Sequence, residues 1–461
     1  MNYNCQIFTP QYIAREMVDL IGYNGDILQK YVLDNSCGEG NLLEEVVRRY
    51  IAVAQQKNKP KKQISAELST YIVGTEIDKK YVNRCKKKLT KVAQEYGINN
   101  SNWNIKCVDG LKHEFGVKFD FILGNPPYIA YAMLKQEQRD FVKNNFEVCS
   151  YGKFDYSYAF IEKCLKLLDK NGKMVFITPS NMYKTTFGRD LRKFMLPYVS
   201  KIVDYSYEKV FKKVLTSPAI TVFDKNAGDT IHYKLKMKSG EAEIDIEKRD
   251  LGNKWYFLKS ESKGRRKFGD YFKVSNAVAT LCNDVYVIDR ETVVKYGIEK
   301  EAIKKAVSPK SRKYNKDEYI VFPYTYDEKN NLIRYDEEAY KRTFPNAYRY
   351  LADNREKLEN TNKDFKAKWF EFGRSQALSH LNQPKLLIST IATNELVVYE
   401  LEQSEIPYSG LYITPIGELD LNFAKSILCK KSTMNYLIAM GIVVSGFSIR
   451  ISAKDVANLR F

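Results

Sequence analysis

Histidine is scarce in this 461-residue sequence: only His113, His232 and His380 are present. The eight cysteines are Cys5, Cys37, Cys85, Cys107, Cys149, Cys164, Cys282 and Cys429, and no two share the two-residue spacing of zinc or thiol-redox sites. That pattern excludes a zinc centre, predicts no metal site, and reads as reduced thiols in a cytoplasmic protein. No run approaches the roughly 18 apolar residues that a membrane-crossing helix needs. Met1-Asn2-Tyr3-Asn4 lacks the basic-then-apolar pattern of an export signal. Membrane and secretory classes are therefore set aside. Internal repeats and low-complexity tracts are also missing.

What is present is apolar material and positive charge. Hydrophobic residues make up 44% and aromatics 13%, enough to fill proper cores, and the length suits two domains. Lys and Arg number 74 against 56 Asp and Glu, a formal net charge of +18. A surplus of that size favours a polyanionic partner, nucleic acid before a membrane surface.

The first half alternates strand-like and helix-like segments. Tyr31–Asp34 is a short apolar run ending at a carboxylate, followed by a Gly-bearing turn and a helix from Leu42 to about Gln56. Tyr71–Glu76 repeats the pattern before a helix over Lys79–Tyr96. Ile105–Val108 and Phe119–Leu123 read as further strands, and a helix over Tyr158–Leu168, a turn at Lys170–Gly172 and a strand over Lys173–Thr178 follow. Strand-then-helix repeats predict an α/β fold with a parallel, doubly wound sheet that binds ligands at the carboxyl ends of its strands. Near Asn226–Asp229 the pattern becomes patchier, which puts a domain boundary at about residue 228. Lys263–Lys267 and Ser308–Lys310 look like exposed basic loops.

The chemistry concentrates at the strand ends. In Asp34-Asn35-Ser36-Cys37-Gly38-Glu39-Gly40, Gly38 and Gly40 let the backbone approach a ligand, and the following helix offers free amides. Cys37 reads as a small packing residue of this loop rather than a nucleophile. Glu76 and Asp109 close the next two strands. Three such acids suit a nucleoside with an amine-bearing tail: one for the cationic amino group, one for ribose hydroxyls, one for an adenine amino group. Asn125-Pro126-Pro127-Tyr128 is the sharpest signal. Consecutive prolines hold the backbone extended and remove amide donors. The Asn125 carboxamide and the Pro126 carbonyl can then each accept one hydrogen of an exocyclic aromatic amine. This favours a pyramidal nitrogen whose lone pair is free to attack a methyl sulfonium in line. Tyr128 offers a flat face on which a base can stack.

In the order of these segments the sequence resembles the gamma-class adenine-N6 DNA methyltransferases of restriction-modification systems. Phe8-Thr9-Pro10, Asp34–Gly40, Glu76, Asp109 and Asn125–Tyr128 are similar to the family's cofactor-binding and catalytic motifs. The runs Lys153–Phe160, Lys173–Ser180, Val203-Asp204, Val210-Phe211 and Ala219–Phe223 follow as they do in the family. The likeness runs over about residues 6–225. It implies a Rossmann-like S-adenosylmethionine-dependent methyltransferase domain (1–228) and a C-terminal α+β target-recognition domain (229–461). The cofactor residues implied are Thr9, Asp34, Cys37, Gly38, Gly40, Glu76, Asp109 and Asn125. The catalytic ones are Asn125, Pro126, Tyr128 and Phe211, the last stacking on a flipped base opposite Tyr128. Asn35 and Glu39 depart from the pattern, where the family usually has proline and often a small residue.

The looser C-terminal likeness rests on Lys368–Gln376 and Gly446–Ile451, whose Arg and Gln residues suit base edges. Tyr324 and Tyr326 are open between core and a DNA-facing surface, and His380 reads as a surface or capping residue. The implied function is methyl transfer to adenine N6 in double-stranded DNA with base flipping, by a monomer. Because the matching segments begin at residue 6, cleavage would fall to a separately encoded endonuclease. The alternatives are amino-directed methylation of cytosine N4, of RNA or of a protein glutamine, and, from another class, a catalytically idle DNA-binding subunit.

Overall fold

A strand whose two faces are both covered needs apolar residues in succession rather than in alternation, and the first half of the chain supplies such runs. The computed structural model of the protein describes residues 7–99, 102–211, 217–237, 240–258, 264–445 and 448–461. Met1–Asn4, Cys5, Lys263, Gly446 and Phe447, named above, lie outside them. Two compact units result: Met1–Phe257 with Val443–Phe447, and Leu258–Ile442 with Ser448–Phe461.

The first unit is built on a nine-stranded sheet. In chain order its elements are α1 (Gln11–Leu20), β1 (Val32–Asp34), α2 (Asn41–Gln56), α3 (Lys61–Tyr71), β2 (Ile72–Glu76), α4 (Lys79–Glu95), β3 (Asn104–Cys107), β4 (Phe119–Gly124), α5 (Gln136–Asn145), α6 (Ser157–Leu167), β5 (Leu168–Pro179), α7 (Arg189–Met195), β6 (Val199–Asp204), β7 (Pro218–Asp224), β8 (Thr230–Met237) and β9 (Gly240–Glu247). The spatial order is β3-β2-β1-β4-β5-β7-β6-β8-β9. Strands β3, β2, β1, β4 and β5 run parallel, and β7 enters antiparallel to both β5 and β6. The chain winds outward from β1 to β3, then returns to lay β4 on the other side of β1. That reversal is the topological switch point, where side chains leaving two adjacent strand ends open a crevice.

Helix α2 lies against the sheet because Leu42, Leu43, Val46, Val47, Tyr50, Ile51 and Ala54 recur at helical spacing and are buried. Gly40, at φ 82°, precedes its first turn. A Cβ at that position would come within 2.5 Å of the Cys85 thiol of α4, so glycine is required both by conformation and by the close approach of α4. Helix α4 is capped by Asp78, whose carboxylate accepts from the Lys80 amide at 2.8 Å.

The observed elements match the expected ones to within a residue or two across β1, α2, β2, α4, β3, β4 and α6. The turn expected at Lys170–Gly172 is instead absorbed into one long strand, with a register shift opposite Phe119 and Phe121. The domain break also differs, falling at residue 257 and not at 228. Strand β8 pairs parallel with β6 and β9 pairs with β8, so the sheet continues past the Asn226–Asp229 turn. Trp255 and Phe257 then pack on Tyr183, with ring centroids 5.8 and 5.1 Å away.

The second unit is α+β. Strands Phe272–Asn276, Leu411–Pro415, Lys385–Ile388 and Val398–Leu401 form one antiparallel sheet. Val287–Asp289, Glu318–Val321, Ile303–Val307 and Ile406–Pro407 form a second. Tyr286, Tyr324, Tyr340, Phe370, Phe372 and Tyr412 are central to its aromatic core. The Lys368–Gln376 stretch belongs mainly to that core: Phe370, Glu371 and Phe372 are buried, Glu371 pairs with Arg334, and Arg374 with Asp364 at 2.9 Å. Gln376 is exposed. Tyr324 is likewise core, its hydroxyl accepting from the Phe372 amide at 2.8 Å, and Tyr326 donates to the Leu378 carbonyl. Ser308–Lys310 is not an exposed loop. Ser308 is buried and, with Ser311, forms a capping box at the start of a short helix, Pro309–Lys313. His380 is exposed. Among the described residues no helix is long and apolar enough to cross a membrane.

One buried cation ties late and early parts of the first unit together. Arg192, 2% exposed, donates to the carbonyls of Met182 (2.6 Å), Thr185 (2.9 Å) and Asn253 (2.8 Å). Burial lowers its pKa to about 10. Arg192→Met is expected to leave these carbonyls unsatisfied and to lower stability by about 3 kcal/mol, read from urea unfolding. An unchanged midpoint would show that the anchor is redundant.

Candidate active site

Asp34 ends β1 and Asn125 follows β4, side by side at the switch point, because Asp34 is in register with Leu123 of the neighbouring strand. Around them opens a pocket of about 1100 Å³, part of it open to solvent, whose wall includes Thr9, Asp34, Gly38, Glu76, Asp109 and Asn125. Cys37, Pro126 and Tyr128 line it too. Of the expected site residues, Gly40 and Phe211 are not among its lining. Gly40 acts one step back, at the α2–α4 contact. Phe211 is 3% exposed and packed into the hydrophobic core beside Val210, so in this conformation its ring is a core element and offers no face to a ligand.

Asn125 is held from three sides. Its amide nitrogen donates to the Ile7 carbonyl at 2.7 Å and to the Thr9 hydroxyl at 3.1 Å. Its oxygen lies 2.6 Å from the Tyr128 hydroxyl, which is also 2.8 Å from the Ile177 carbonyl. A single hydroxyl proton serves both acceptors. The amide is thus fixed with nitrogen toward the N-terminal segment, and its oxygen keeps a second lone pair. Buried as it is, the Tyr128 phenol is pushed well above its ordinary pKa and stays neutral.

The three acids are each tethered by backbone amides. Gly38 and Asp78 donate to the two oxygens of Glu76, both at 3.0 Å. The Ser36 amide reaches Asp34 at 3.2 Å and the Leu111 amide reaches Asp109 at 3.0 Å. Among the described residues none of the three joins an ion pair. Burial pushes Asp34 up to about 7, against the opposing Ser36 amide and with help from the Glu76 charge, and burial raises Glu76 as well. The pocket thus gathers three acids with no side-chain cation among the described residues to offset them, which suits a ligand carrying its own positive charge.

Cys37 is nearly buried, and its thiol pKa is raised by the Cys85 thiol and by burial, consistent with a packing role. Asn35, in place of the usual proline, accepts from the Thr75 hydroxyl at 2.9 Å, and Gly110 lies so close to it that a Cβ there would clash at 2.4 Å. Asn35 thus stitches β1 to β2 and to the segment after β3, replacing the lost ring by a hydrogen bond. Glu39 pairs with Arg84, so its charge is not free in the pocket.

Among the pocket residues that the sequence did not single out are Ile77, Val108 and Gly110. They flank Glu76 and Asp109, and that adjacency to a strand-end acid was the available signal. Gln138, from α5, gave none.

Since Asp34 is protonated more readily in the folded chain than its ordinary 3.8, folding binds a proton across the window from 3.8 to about 7. Stability is therefore lost as pH rises through that window. Asp34→Asn removes the buried charge, so the variant should melt higher than the parent at pH 8, by a margin that shrinks as pH falls and vanishes below about pH 4. A lower melting temperature at pH 8 would show that the carboxylate is stabilised in the ligand-free fold.

The chain is similar to several known proteins. The Eco57I restriction-modification methylase family matches residues 48–211. The Type II methyltransferase M.BstVI of Geobacillus stearothermophilus is 23% identical over an alignment taking in 98% of this chain and 89% of that one. The Type II restriction enzyme and methyltransferase RM.Eco57I of Escherichia coli is 26% identical over 60% of this chain, which spans a third (33%) of that protein's length. In three dimensions the Type IIL restriction-modification enzyme MmeI, solved in complex with DNA, superposes with a TM-score of 0.66 at 14% identity, covering 97% of this chain and 65% of that one. The chain is accordingly similar to restriction-modification DNA methyltransferases, and its first unit has a Rossmann-like α/β fold.

Proposed function

We propose that the protein methylates the N6 amino group of adenine at a specific site in double-stranded DNA. The observation that carries this reading is the Asn125-Pro126-Pro127-Tyr128 segment beside the acid-lined pocket, with the Asn125 carboxamide fixed in orientation.

The pocket fits the cofactor on its own chemistry: buried, unpaired carboxylates for a cationic amino-acid part, and further acids for ribose and adenine. Asp34 and the amides of the Ser36–Gly38 loop would hold the amino-acid end, Glu76 the ribose hydroxyls and Asp109 the adenine ring. Bound there, S-adenosylmethionine supplies an electrophilic methyl group on a sulfonium. The protein's own part is to present the amine. Asn125 accepts one amine hydrogen on its free lone pair and Pro126 accepts the other on its carbonyl, which turns the nitrogen lone pair out of the base plane. Tyr128, anchored at its hydroxyl, gives the base a face to stack on. An adenine can reach this crevice only after leaving the duplex, which costs a few kcal/mol. The second unit is assigned to target recognition.

The deciding experiment supplies tritiated-methyl S-adenosylmethionine and unmethylated genomic DNA, then hydrolyses the DNA to nucleosides. Label in N6-methyladenosine is expected. Label on cytosine would move the reaction to N4 with the same mechanism, and label on RNA or protein alone would overturn the DNA assignment. Asn125→Ala should lower transfer by at least about 100-fold with the cofactor's dissociation constant unchanged. Parallel loss of both would mean that Asn125 builds the pocket instead. Cofactor affinity should also weaken as pH falls below about 7, by roughly tenfold per pH unit, because only ionised Asp34 pairs with the amino group. A flat profile from pH 5 to 8 by calorimetry would remove Asp34 from that role.

A further inference from the structure

Extruding a base leaves a gap in the stack, and proteins that unstack DNA commonly fill or force such gaps with an apolar side chain such as methionine. The exposed apolar side chains of the pocket wall, Phe8 and Ile77, lie beside Gly38 and Glu76, on the side assigned to the cofactor. Three residues beyond Tyr128, however, a single helical turn, Tyr131–Met133, stands in the chain between two pocket-lining residues, Ile129 and Gln138. Met133 at its end is 65% exposed. Among the described residues of the first unit it is the most exposed large apolar side chain without a hydroxyl.

A lone exposed methionine is ordinary; the way this one is held is not. Arg139 of α5 donates to the carbonyls of Tyr131 (3.1 Å) and Ala132 (3.0 Å), clamping the turn from behind. The Tyr131 ring meets Phe154 edge-on at 5.2 Å, with the Arg139 guanidinium 4.7 Å and the Lys143 ammonium 5.2 Å from its centroid. Leu134, next in the chain, is buried and pins the other side. The backbone is thus fixed while the Met133 side chain is kept out of the core. Exposed Lys135 sits two residues on, and with Arg139 and Lys143 brings positive charge near the turn, set against Glu137 and Asp140 of the same helix. A rigid turn with an unbranched apolar tip and basic neighbours beside the pocket mouth suits a DNA base stack flanked by phosphates.

We propose that Met133 is the wedge that enters the DNA stack as the target adenine leaves it. It is a positioning residue, acting on the duplex and not on the reacting atoms, and the inference rests on the base-extrusion reading above. The wedge is needed only while the target is stacked and paired.

The test compares the parent with Met133→Ala and Met133→Leu on two duplexes carrying the methylation site mapped for the parent enzyme. One duplex is fully paired, and the other has an abasic site opposite the target adenine. Met133→Ala should lose at least about tenfold in kcat/KM on the paired duplex, the equivalent of one to two kcal/mol of unassisted extrusion. It should recover to near the parent on the abasic one, and Met133→Leu should stay near the parent on both. Cofactor-induced thermal shifts should be the same for all three. Equal activity of Met133→Ala and the parent on paired DNA would overturn the wedge, as would an equal loss on both duplexes, which marks a merely structural role. A parent that methylates neither duplex, nor genomic DNA, would instead remove the underlying function.

Discussion

The pairing of β1 with β4 governs everything at the site. These strands are far apart in sequence, and each hands its following segment to a different side of the sheet, so their ends are neighbours with nothing between them. The acid that ends β1 and the amide that follows β4 therefore face a common crevice. Among the parallel strands β1 to β5, no other two adjacent ends lie at a reversal of winding. The loop glycines, the α2–α4 contact through Gly40 and the Asn35–Thr75 hydrogen bond all serve to keep that crevice open at a fixed width.

The crevice is held at a cost in stability. Two of its carboxylates are driven toward the neutral form by burial, and no lysine or arginine among the described residues relieves them. Elsewhere the same chain pairs several of its buried carboxylates with cations: Glu162 with Lys166, Glu67 with Lys59, Glu405 with Arg312 and Glu371 with Arg334. Even the buried Lys385 is satisfied by three backbone carbonyls. Asp34 and Glu76, buried without an ion pair and lining an open pocket, mark a site shaped around an incoming charge and not around the resting fold.

Much of this was legible in the sequence because it depends on local order: an apolar run, an acid at its end, a glycine turn, an amphipathic helix. The Asn125–Tyr128 tetrapeptide was legible for the same reason, its geometry being set by adjacent prolines. What escaped was non-local. The break at residue 257 depends on β8 pairing with the free side of β6, opposite β7, and nothing in Thr230–Met237 announces that partner. Lys368–Gln376 looked like a surface of readable side chains, yet Phe370 and Phe372 draw it inward and Glu371 follows because Arg334 awaits it. Phe211 shows the converse: a position can match a motif while its ring rests in the core.

The anchoring of Asn125 bears on how the chain acquires activity during synthesis. Its amide is oriented by Ile7 and Thr9, 118 and 116 residues earlier in the chain. The N-terminal segment leaves the ribosome long before its partner exists, and must wait while β1 through β4 assemble. Contacts of such sequence separation close late, after the intervening loops have been ordered. A nascent chain with its first strands in place would already have the acids for a cofactor, yet lack the oriented carboxamide. On the proposed reading, cofactor capture and competence for transfer are thereby separated in time.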